Sequence, residues 1–298
     1  MMENLNRIIG EYDTGNKGSL LFITAGIHGN EPAGVLALEN IFEILQENQP
    51  PINGKIIGLR GNKKALQKQV RFIDEDLNRT WTSENIKSNR IDSAEKIEMF
   101  EIIELLEKFP EKHFTKRYFL DCHTTSAESE PYISVQDVHD NLQWAKLFPT
   151  YIIKGFSDLV RGCIDRYESK IGLTGFVFEA GQHQSKKAVK NHEGIIWHAL
   201  HYACDLNFKD LEKIPKSVKT LAEKRKNQKV FQLIYRHAIS AKDNFKMQPG
   251  FKNFQKLNKE ELLAHQNQQP IYSKWEDFIF MPLYQSQGND GFFIVKEV

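Results

Sequence analysis

The fold is decided by residues 20–32, which read LLFITAGIHGNEP. The apolar run Leu20–Thr24 is short and unbroken, which is typical of a strand buried on both faces. Two glycines after it allow a tight turn, and Pro32 suits the first turn of a helix. The sequence therefore predicts a glycine-rich loop between a buried strand and a helix, and this loop carries His28 and Glu31.

A second apolar run ends in His123, 92 positions after Glu31. Two imidazoles and one carboxylate are a ligand set for a catalytic zinc that keeps its fourth position open. In the extended run 120–123, Asp121 and His123 point to the same side, so Asp121 is placed to orient His123, and Cys122 faces away. The His-x-x-Glu pattern is short and common, so by itself it also fits an ordinary surface turn.

Strands and helices alternate through the first two thirds of the chain. The apolar runs predict strands at Leu20–Thr24, Lys55–Leu59, Tyr118–Asp121 and Gly175–Glu179. The 3.6-residue periodicity predicts helices from Pro32 to about Gln46, from Asp92 to Phe109 with Asp92 as N-cap, and from His192 to about Tyr202. This alternation predicts an α/β sheet with helices on both faces.

The pattern changes after about Cys204. Residues 206–229 are rich in lysine and resemble a connector. Short strands then follow, predicted at Val230–His237, Phe278–Leu283 and Phe292–Val295. We therefore divide the chain into a catalytic domain, residues 1–205, and a smaller C-terminal β-rich domain, residues 206–298, which includes the connector.

The composition is that of a globular protein, with 40% hydrophobic and 27% charged residues and a net charge of +1. A nucleic-acid-binding protein usually has a basic excess, which is absent here. The N-terminus lacks the apolar segment of a signal peptide, and no apolar run approaches the ~20 residues that span a bilayer. Three widely spaced cysteines fit reduced thiols. We expect a cytoplasmic protein without nucleic-acid or membrane partners.

Residues that suit a substrate carboxylate occur between positions 71 and 81. Arg71, Asn78 and Arg79 lie within nine residues, in a stretch with poor helix or strand periodicity. A guanidinium binds a carboxylate through two parallel hydrogen bonds, and an amide can add a third. This fits Asn78 and Arg79, although a charged surface loop remains an alternative. Asp76 can either orient an arginine or touch the substrate.

Glu179 ends an apolar strand and is followed by Ala180 and Gly181. A glutamate at such a position near a metal is suited to take a proton from water. Partial burial would raise its pKa toward working pH. An ordinary carboxylate at a strand end is the alternative.

Four segments, taken together, resemble the aspartoacylase and succinylglutamate desuccinylase family, a branch of the zinc carboxypeptidase superfamily. They are GIHGNE at 26–31, DLNR at 76–79, DCHTTS at 121–126 and FEAG at 178–181. Their order and spacing match the family over about residues 20–182. The resemblance implies a zinc-carboxypeptidase-like mixed sheet flanked by helices, with a smaller C-terminal β-rich domain.

The resemblance also implies roles for single residues. It implies one Zn²⁺ per chain, with the ligands His28, Glu31 and His123. It implies Glu179 as general base and Arg71 as the group that polarises the scissile carbonyl. It implies that Asn78 and Arg79 bind a substrate carboxylate.

Two family features are missing. Family members have an arginine ten residues before the catalytic glutamate, and this chain has Ser169 there; Arg161 and Arg166 are candidates to replace it. The family's tyrosine near the C-terminus is absent from residues 287–293, and the nearest is Tyr284. These departures leave the acyl group and the amino acid of the substrate open.

The predicted function is zinc-dependent hydrolysis of the amide bond of a small N-acyl amino acid. A zinc carboxypeptidase acting on short peptides would use the same residues and is one alternative. A catalytically inactive binding protein with an inherited pocket is another. The C-terminal domain would either cover the mouth of the site or bind a partner, and a homodimer is left open.

Overall fold

One mixed sheet of eleven strands runs through the part of the chain that this computed structural model describes, residues 5–223, 228–240 and 242–298. A separate three-stranded antiparallel sheet lies in the C-terminal region. Helices pack on both faces of the large sheet, which confirms the predicted α/β class.

The strands, numbered in chain order, are β1 (Ile8–Asp13), β2 (Ser19–Ala25), β3 (Gly54–Arg60), β4 (Arg117–Thr125), β5 (Tyr132–Val135), β6 (Tyr151–Lys154), β7 (Thr174–Gln182), β8 (Val230–Ala238), β9 (Phe245–Met247), β10 (Gln255–Lys256), β11 (Leu262–Gln266), β12 (Gln269–Tyr272), β13 (Phe278–Phe280) and β14 (Asp290–Glu297). The large sheet has the order β1-β3-β2-β4-β7-β5-β6-β8-β14-β13-β10.

The helices are α1 (Ala33–Asn48), α2 (Lys63–Lys68), α3 (Ser83–Ser88), α4 (Ala94–Glu107), α5 (Asn141–Ala145), α6 (Phe156–Leu159), α7 (Ile164–Lys170), α8 (Lys186–Cys204) and α9 (Lys216–Ala222). Short 3₁₀ segments lie at Leu77–Arg79, Glu111–His113 and Phe208–Asp210. Within these ranges, none of the helices combines the length and apolarity needed to cross a lipid bilayer.

Alternate residues of β2 supply two separate cores. Leu21 and Ile23 pack with α1 and α8 on one face of the sheet. Leu20 and Phe22 pack with α4 on the other face. Side chains alternate across a strand, so a strand that is covered on both sides must be apolar throughout. This explains the unbroken apolar run at the start of the chain.

The central strands β3, β2, β4 and β7 are parallel to one another. Their carboxyl ends therefore meet at the same edge of the sheet, where ligands of open α/β sheets usually bind. In the β4–β7 register, His123 is directly opposite Glu179. The sheet thus brings residues that are far apart in sequence to one place.

The C-terminal strands extend the large sheet. β8 pairs in parallel with β6 and antiparallel with β14. One core cluster joins Tyr132 and Ile153 from the first part of the chain to Phe231, Phe280 and Phe293 from the last part. The division at residues 205 and 206 stays a prediction about how the chain is organised.

Several element ends differ from the sequence prediction. α8 begins at Lys186, six residues before His192, and it is capped by Ser185. α4 is capped by Ser93, whose side chain accepts from the Lys96 N–H, so the prediction of Asp92 as N-cap is wrong. The sequence analysis also missed β1 and the four-residue strands β5 and β6. Such short strands have too little periodicity to be distinguished from loops.

Candidate active site

The loop after β2 folds back on itself at the carboxyl edge of the sheet. Gly26 has a positive φ of 70°, which a residue with a side chain rarely adopts. Gly29 lies against α2, because a Cβ there would be 2.0 Å from the carbonyl carbon of Ala65. The N–H of Glu31 donates to the carbonyl of His28 at 3.1 Å. This turn directs the His28 and Glu31 side chains to a common point.

Three buried side chains meet at that point: His28, Glu31 and His123. One oxygen of Glu31 lies 2.8 Å from Nδ1 of His28, and the other lies 3.1 Å from Nδ1 of His123. Their potential ligand atoms all lie within 4.8 Å of one another. The two histidines are 4% and 3% exposed and the glutamate 2%, so the cluster is withdrawn from solvent.

A carboxylate lies behind each histidine. Nε2 of His28 is 3.1 Å from Asp76, and Nε2 of His123 is 2.8 Å from Asp121. Asp121 is held in turn by the hydroxyl of Thr24 at 2.6 Å. Carboxylates in this position fix the tautomer and the ring orientation of metal-binding histidines. The arrangement leaves both Nδ1 atoms directed at the centre of the cluster.

The electrostatics of the cluster fit a cation. Burial alone would raise the pKa of Glu31, but the facing His28 and His123 hold it well below its usual value. Burial likewise opposes ionisation of Asp76, but Arg71 and His28 hold its pKa well below the usual range. Two imidazole nitrogens and an ionised carboxylate in one buried place are the nitrogen and oxygen donors that Zn²⁺ prefers.

Glu179 lies beside this cluster without a partner. It is 7% exposed, and its Oε2 atom has no hydrogen-bond partner within the described residues. The pKa of Glu179 is raised to about 8: burial is the largest cause, nearby Glu31 adds to the rise, and His123 and Arg71 oppose it. A carboxylate with such a pKa can take up and release a proton near neutral pH.

Two adjoining cavities of about 70 Å³ each open onto the cluster. Both are lined by His28, His123, Arg71, Arg79 and Glu179, among others. The inner cavity continues toward β5 and α7, and the outer cavity is bounded by residues 283–290 of the C-terminal region. The C-terminal region therefore forms part of the mouth of the site.

Arg71 approaches the cluster from the side. Its Nε and Nη2 donate to Asp76 at 3.3 and 3.1 Å, and its Nη1 is 3.4 Å from Glu31. Asp76 thus orients both Arg71 and His28, which decides between the two roles that the sequence left open for it.

Asn78 and Arg79 lie on a 3₁₀ turn at the inner cavity. The Asn78 side-chain oxygen accepts from the N–H of Ile164 at 2.9 Å, which leaves its NH₂ group to donate. Nη2 of Arg79 donates to Asp290 at 2.7 Å, and Asp290 also pairs with Arg236 at 2.5 Å. Arg79 therefore already faces a carboxylate of the protein itself.

The residues considered as substitutes for the family's missing groups lie elsewhere. Arg161 and Arg166 line a separate cleft beside Trp81. Ser169 is buried, and its hydroxyl accepts from Asn141 at 3.0 Å. Tyr284 donates its hydroxyl proton to the carbonyl of Gln248 at 2.6 Å. None of these four residues lines either of the two cavities.

Sequence reasoning missed several residues around the site. His183 receives the Thr124 hydroxyl at 2.8 Å and lies 3.1 Å from Gln285, which also accepts from Asn30 at 2.8 Å. Asp290 was missed as well. Its position in the stretch 287–293, where the chain departs from the family, was the only signal available for it.

Comparison with known proteins identifies the family. The sequence model of the succinylglutamate desuccinylase/aspartoacylase catalytic domain matches residues 17–191, which is more than half of the 298 residues. The fold and site are those of an α/β protein with a buried His-Glu-His cluster at a sheet edge. The chain belongs to the succinylglutamate desuccinylase/aspartoacylase family.

Curated relatives match over part of their length. The succinylglutamate desuccinylase of Shewanella pealeana is 26% identical over 112 residues, which are 37% of this chain and 32% of that protein. The one from Pseudomonas putida KT2440 is 31% identical over 108 residues, 35% of this chain and 30% of that protein. The chain therefore covers about a third of the length of these relatives in the alignments.

Solved structures match over nearly the whole chain. The succinylglutamate desuccinylase of Chromobacterium violaceum has a TM-score of 0.68 at 15% identity and covers 98% of this chain and 94% of its own. Murine aminoacylase 3 has a TM-score of 0.60 at 15% identity, with 96% and 97% covered. At these identities the likeness shows the fold, and it confirms the fold class that the resemblance implied.

Proposed function

We propose that this protein is a zinc-dependent hydrolase that cleaves the amide bond of a small N-acyl amino acid. One observation carries the proposal: a buried His28–Glu31–His123 cluster shares its cavity with Glu179, whose Oε2 has no partner among the described residues and whose pKa is raised to about 8. The family membership and the names of the relatives, which denote removal of an acyl group, support it.

His28, Glu31 and His123 would hold the zinc ion. The ion, when bound, acts as a Lewis acid that polarises the amide carbonyl and makes water a better nucleophile at neutral pH. Asp76 and Asp121 keep the two imidazole rings turned toward the ion by contacting their outer nitrogens.

Glu179 would move the proton. Its unpartnered Oε2 accepts a proton from the attacking water and later delivers it to the nitrogen of the leaving amine. A pKa near neutrality suits both transfers, because the same group must act first as a base and then as an acid. Arg71 donates hydrogen bonds toward the carbonyl oxygen as negative charge develops there.

The substrate would bind through its α-carboxylate. The NH₂ group of Asn78 and the guanidinium of Arg79 line the inner cavity and are the donors available for it. The size of the two cavities, about 70 Å³ each, favours a small molecule over a peptide.

A substrate screen tests this proposal. The zinc-loaded protein is incubated with N-acetyl and N-succinyl amino acids, and release of the free amino acid is measured. We expect at least one compound to be cleaved, with activity lost in the Glu179→Ala variant. Zinc content near zero in both the protein and a Glu31→Ala variant would overturn the metal assignment. Zinc-loaded protein that cleaves no member of the panel would overturn the deacylase assignment.

A further inference from the structure

The far end of the inner cavity is lined by polar side chains that can accept hydrogen bonds. Tyr132, Ser134 and Gln136 are alternate residues along and just beyond β5, so they face the same side of the sheet. Asp165, in the first turn of α7, faces them, and Gln136 donates to it at 2.7 Å. We call these four residues the acceptor pocket. It adjoins the catalytic cluster, because Tyr132 is opposite Glu179 in the β5–β7 register.

The acceptor pocket holds an acid without a cation. Asp165 is 3% exposed, and within the described residues no lysine or arginine forms a salt bridge with it. Its hydrogen bonds come from Gln136 and from the N–H of Arg166 at 2.9 Å. An ionised carboxylate has about four acceptor sites. Asp165 therefore has capacity for a further donor from the cavity.

The acceptor pocket also contains a hydroxyl, that of Tyr132, for which the described residues supply no partner. Tyr132 is fully buried, and its hydroxyl has no hydrogen-bond partner within the part of the chain that is described. Buried polar atoms are nearly always paired, and each exception needs an explanation. A ligand that supplies donors at this end of the cavity would satisfy both Tyr132 and Asp165.

The two arginines that line both cavities already pair with carboxylates of the protein, so they are poorly placed to neutralise a second acidic group on a substrate. Arg71 is paired with Asp76, and Arg79 with Asp290. Within the described residues, these are the arginines that line the inner cavity, and no lysine lines it. A substrate side chain that ended in a carboxylate would lie beside Asp165 with no cation of its own to meet.

The position of Asp165 on its helix has a structural explanation as well. A carboxylate in the first helical turn interacts favourably with the backbone N–H groups there. That interaction explains why an acid is tolerated at this position. It does not explain why the acid lines the cavity together with an unpaired tyrosine hydroxyl.

We propose that the acceptor pocket selects N-acyl amino acids whose side chain ends in an ammonium group, with Asp165 as the residue that determines this specificity. The proposal rests on the function proposed above, because it assumes that the amide lies at the zinc and the α-carboxylate at Asn78 and Arg79. The cationic side chain then extends toward Asp165 and replaces the missing counter-charge.

Three matched substrates test the preference. N-acetyl-ornithine carries an ammonium group, N-acetyl-norleucine replaces it with a methyl group, and N-acetyl-glutamate carries a carboxylate at similar reach. For the zinc-loaded wild-type protein we expect kcat/KM for the ornithine compound to exceed both others by about 10–100-fold, the range for a hydrogen bond to a charged group. A higher kcat/KM of the wild-type protein for the norleucine or glutamate compound would overturn the proposal, independently of the results with the variants.

The variant Asp165→Asn tests the residue. We expect the ratio of kcat/KM for N-acetyl-ornithine to kcat/KM for N-acetyl-norleucine to fall from its wild-type value toward one. Asp158→Asn is the matched control, because Asp158 is an exposed acid on the neighbouring α6. An unchanged ornithine-to-norleucine ratio in folded Asp165→Asn protein would contradict the assignment.

A binding measurement separates this proposal from the proposed function. Calorimetry on zinc-loaded Glu179→Gln protein measures the affinity for N-acetyl-ornithine and N-acetyl-norleucine without turnover. Tighter binding of the ornithine compound that depends on Asp165, with no cleavage by the wild type, would keep the specificity assignment and overturn the deacylase assignment. Cleavage of the norleucine or glutamate compound, without a preference for the ornithine compound, would keep the deacylase assignment and overturn the specificity assignment.

Discussion

At the scale of single residues, the environment gives similar carboxylates different roles. Glu31 is held ionised by two facing histidines, so it is suited to bind a cation. Glu179 is also buried, but its Oε2 has no partner within the part of the chain that the structure describes, and its pKa is raised to about 8. The difference arises because burial disfavours a charge unless opposite charges lie close by.

The Glu179→Gln variant should lose turnover and keep its zinc. The amide has the shape of the carboxylate but cannot accept the proton, so kcat should fall by about 10²–10⁴-fold, the usual contribution of a general base. Steady-state kinetics and metal analysis by mass spectrometry check both results. Glu104→Gln is the control, because Glu104 is exposed and forms a surface ion pair with Lys108. Turnover near that of the wild type in Glu179→Gln would refute the assignment.

The Asp121→Asn variant should weaken zinc binding. Asp121 contacts the outer nitrogen of His123, and loss of such a contact typically costs about 10–100-fold in metal affinity. A competition titration against a chelator measures the change. Asp137→Asn removes an exposed acid that pairs with Lys154 and should leave the affinity as it is. Equal affinities for Asp121→Asn and the wild type would show that this contact does not support the metal.

At the scale of elements, strand ends and one loop share the candidate site. His123 and Glu179 lie near the carboxyl ends of the buried strands β4 and β7, whereas His28 and Glu31 lie in the loop that follows β2. Helix α4 lies on the opposite face from α1 and α8 and completes the second core. The first turn of α4 allows a test of which residue acts as its N-cap.

The free energy of unfolding should be sensitive to substitution of Ser93, the N-cap of α4, and insensitive to substitution of Asp92. Ser93 accepts from the Lys96 N–H at 3.2 Å, so Ser93→Ala should lower the free energy of unfolding by about 1 kcal/mol. Asp92 lies outside the helix and forms an exposed ion pair with Lys96, so Asp92→Ala should leave the free energy of unfolding almost unchanged. Urea unfolding of both variants measures the difference. A larger loss of unfolding free energy in Asp92→Ala than in Ser93→Ala would show that Asp92, and not Ser93, is the N-cap.

At the scale of the whole molecule, the large sheet joins the N-terminal and C-terminal parts of the chain. Strand β8 pairs with β6, and a shared core packs Phe231 and Phe293 against Tyr132 and Ile153. Residues 283–290 also bound the outer cavity. The C-terminal region therefore contributes strands to the large sheet and residues to the boundary of the outer cavity.

The shared core should make the protein unfold in one transition. Scanning calorimetry should show a single peak, and Phe293→Ala should shift the whole peak to lower temperature, because loss of a buried aromatic ring costs about 3–5 kcal/mol. Two separate peaks, with only one displaced by the substitution, would instead support independent domains divided near residues 205 and 206.

Removal of zinc should lower the melting temperature. A ligand that binds only the folded state at a hundred times its dissociation constant contributes about 2.7 kcal/mol to stability. A chelator should therefore lower the melting temperature of the wild type, and added zinc should restore it. The Glu31→Ala variant is the control and should respond to neither treatment. An identical response in that variant would mean that zinc stabilises the protein from another position.

The sequence alone determined the α/β class and which residues to consider. Burial on both faces explains the apolar run at 20–23 of β2, and glycines followed by proline define the loop, so the local sequence pattern predicts both. The prediction of His28, Glu31, His123 and Glu179 as a set depended on motif order. The structure brings these four residues to one cavity, and their roles stay predictions until the metal and the reaction are measured.

Only the tertiary structure decided which residues share the cavity. Asp165, Asp290 and Tyr132 come from different elements, and no spacing in the sequence relates them to the zinc ligands. Arg161 and Arg166 were equally plausible from sequence, yet they face a different cleft. The physical reason is that strand order and helix packing are set by contacts between distant segments. A local pattern predicts an element and its buried face, but the neighbours of a side chain depend on the whole fold.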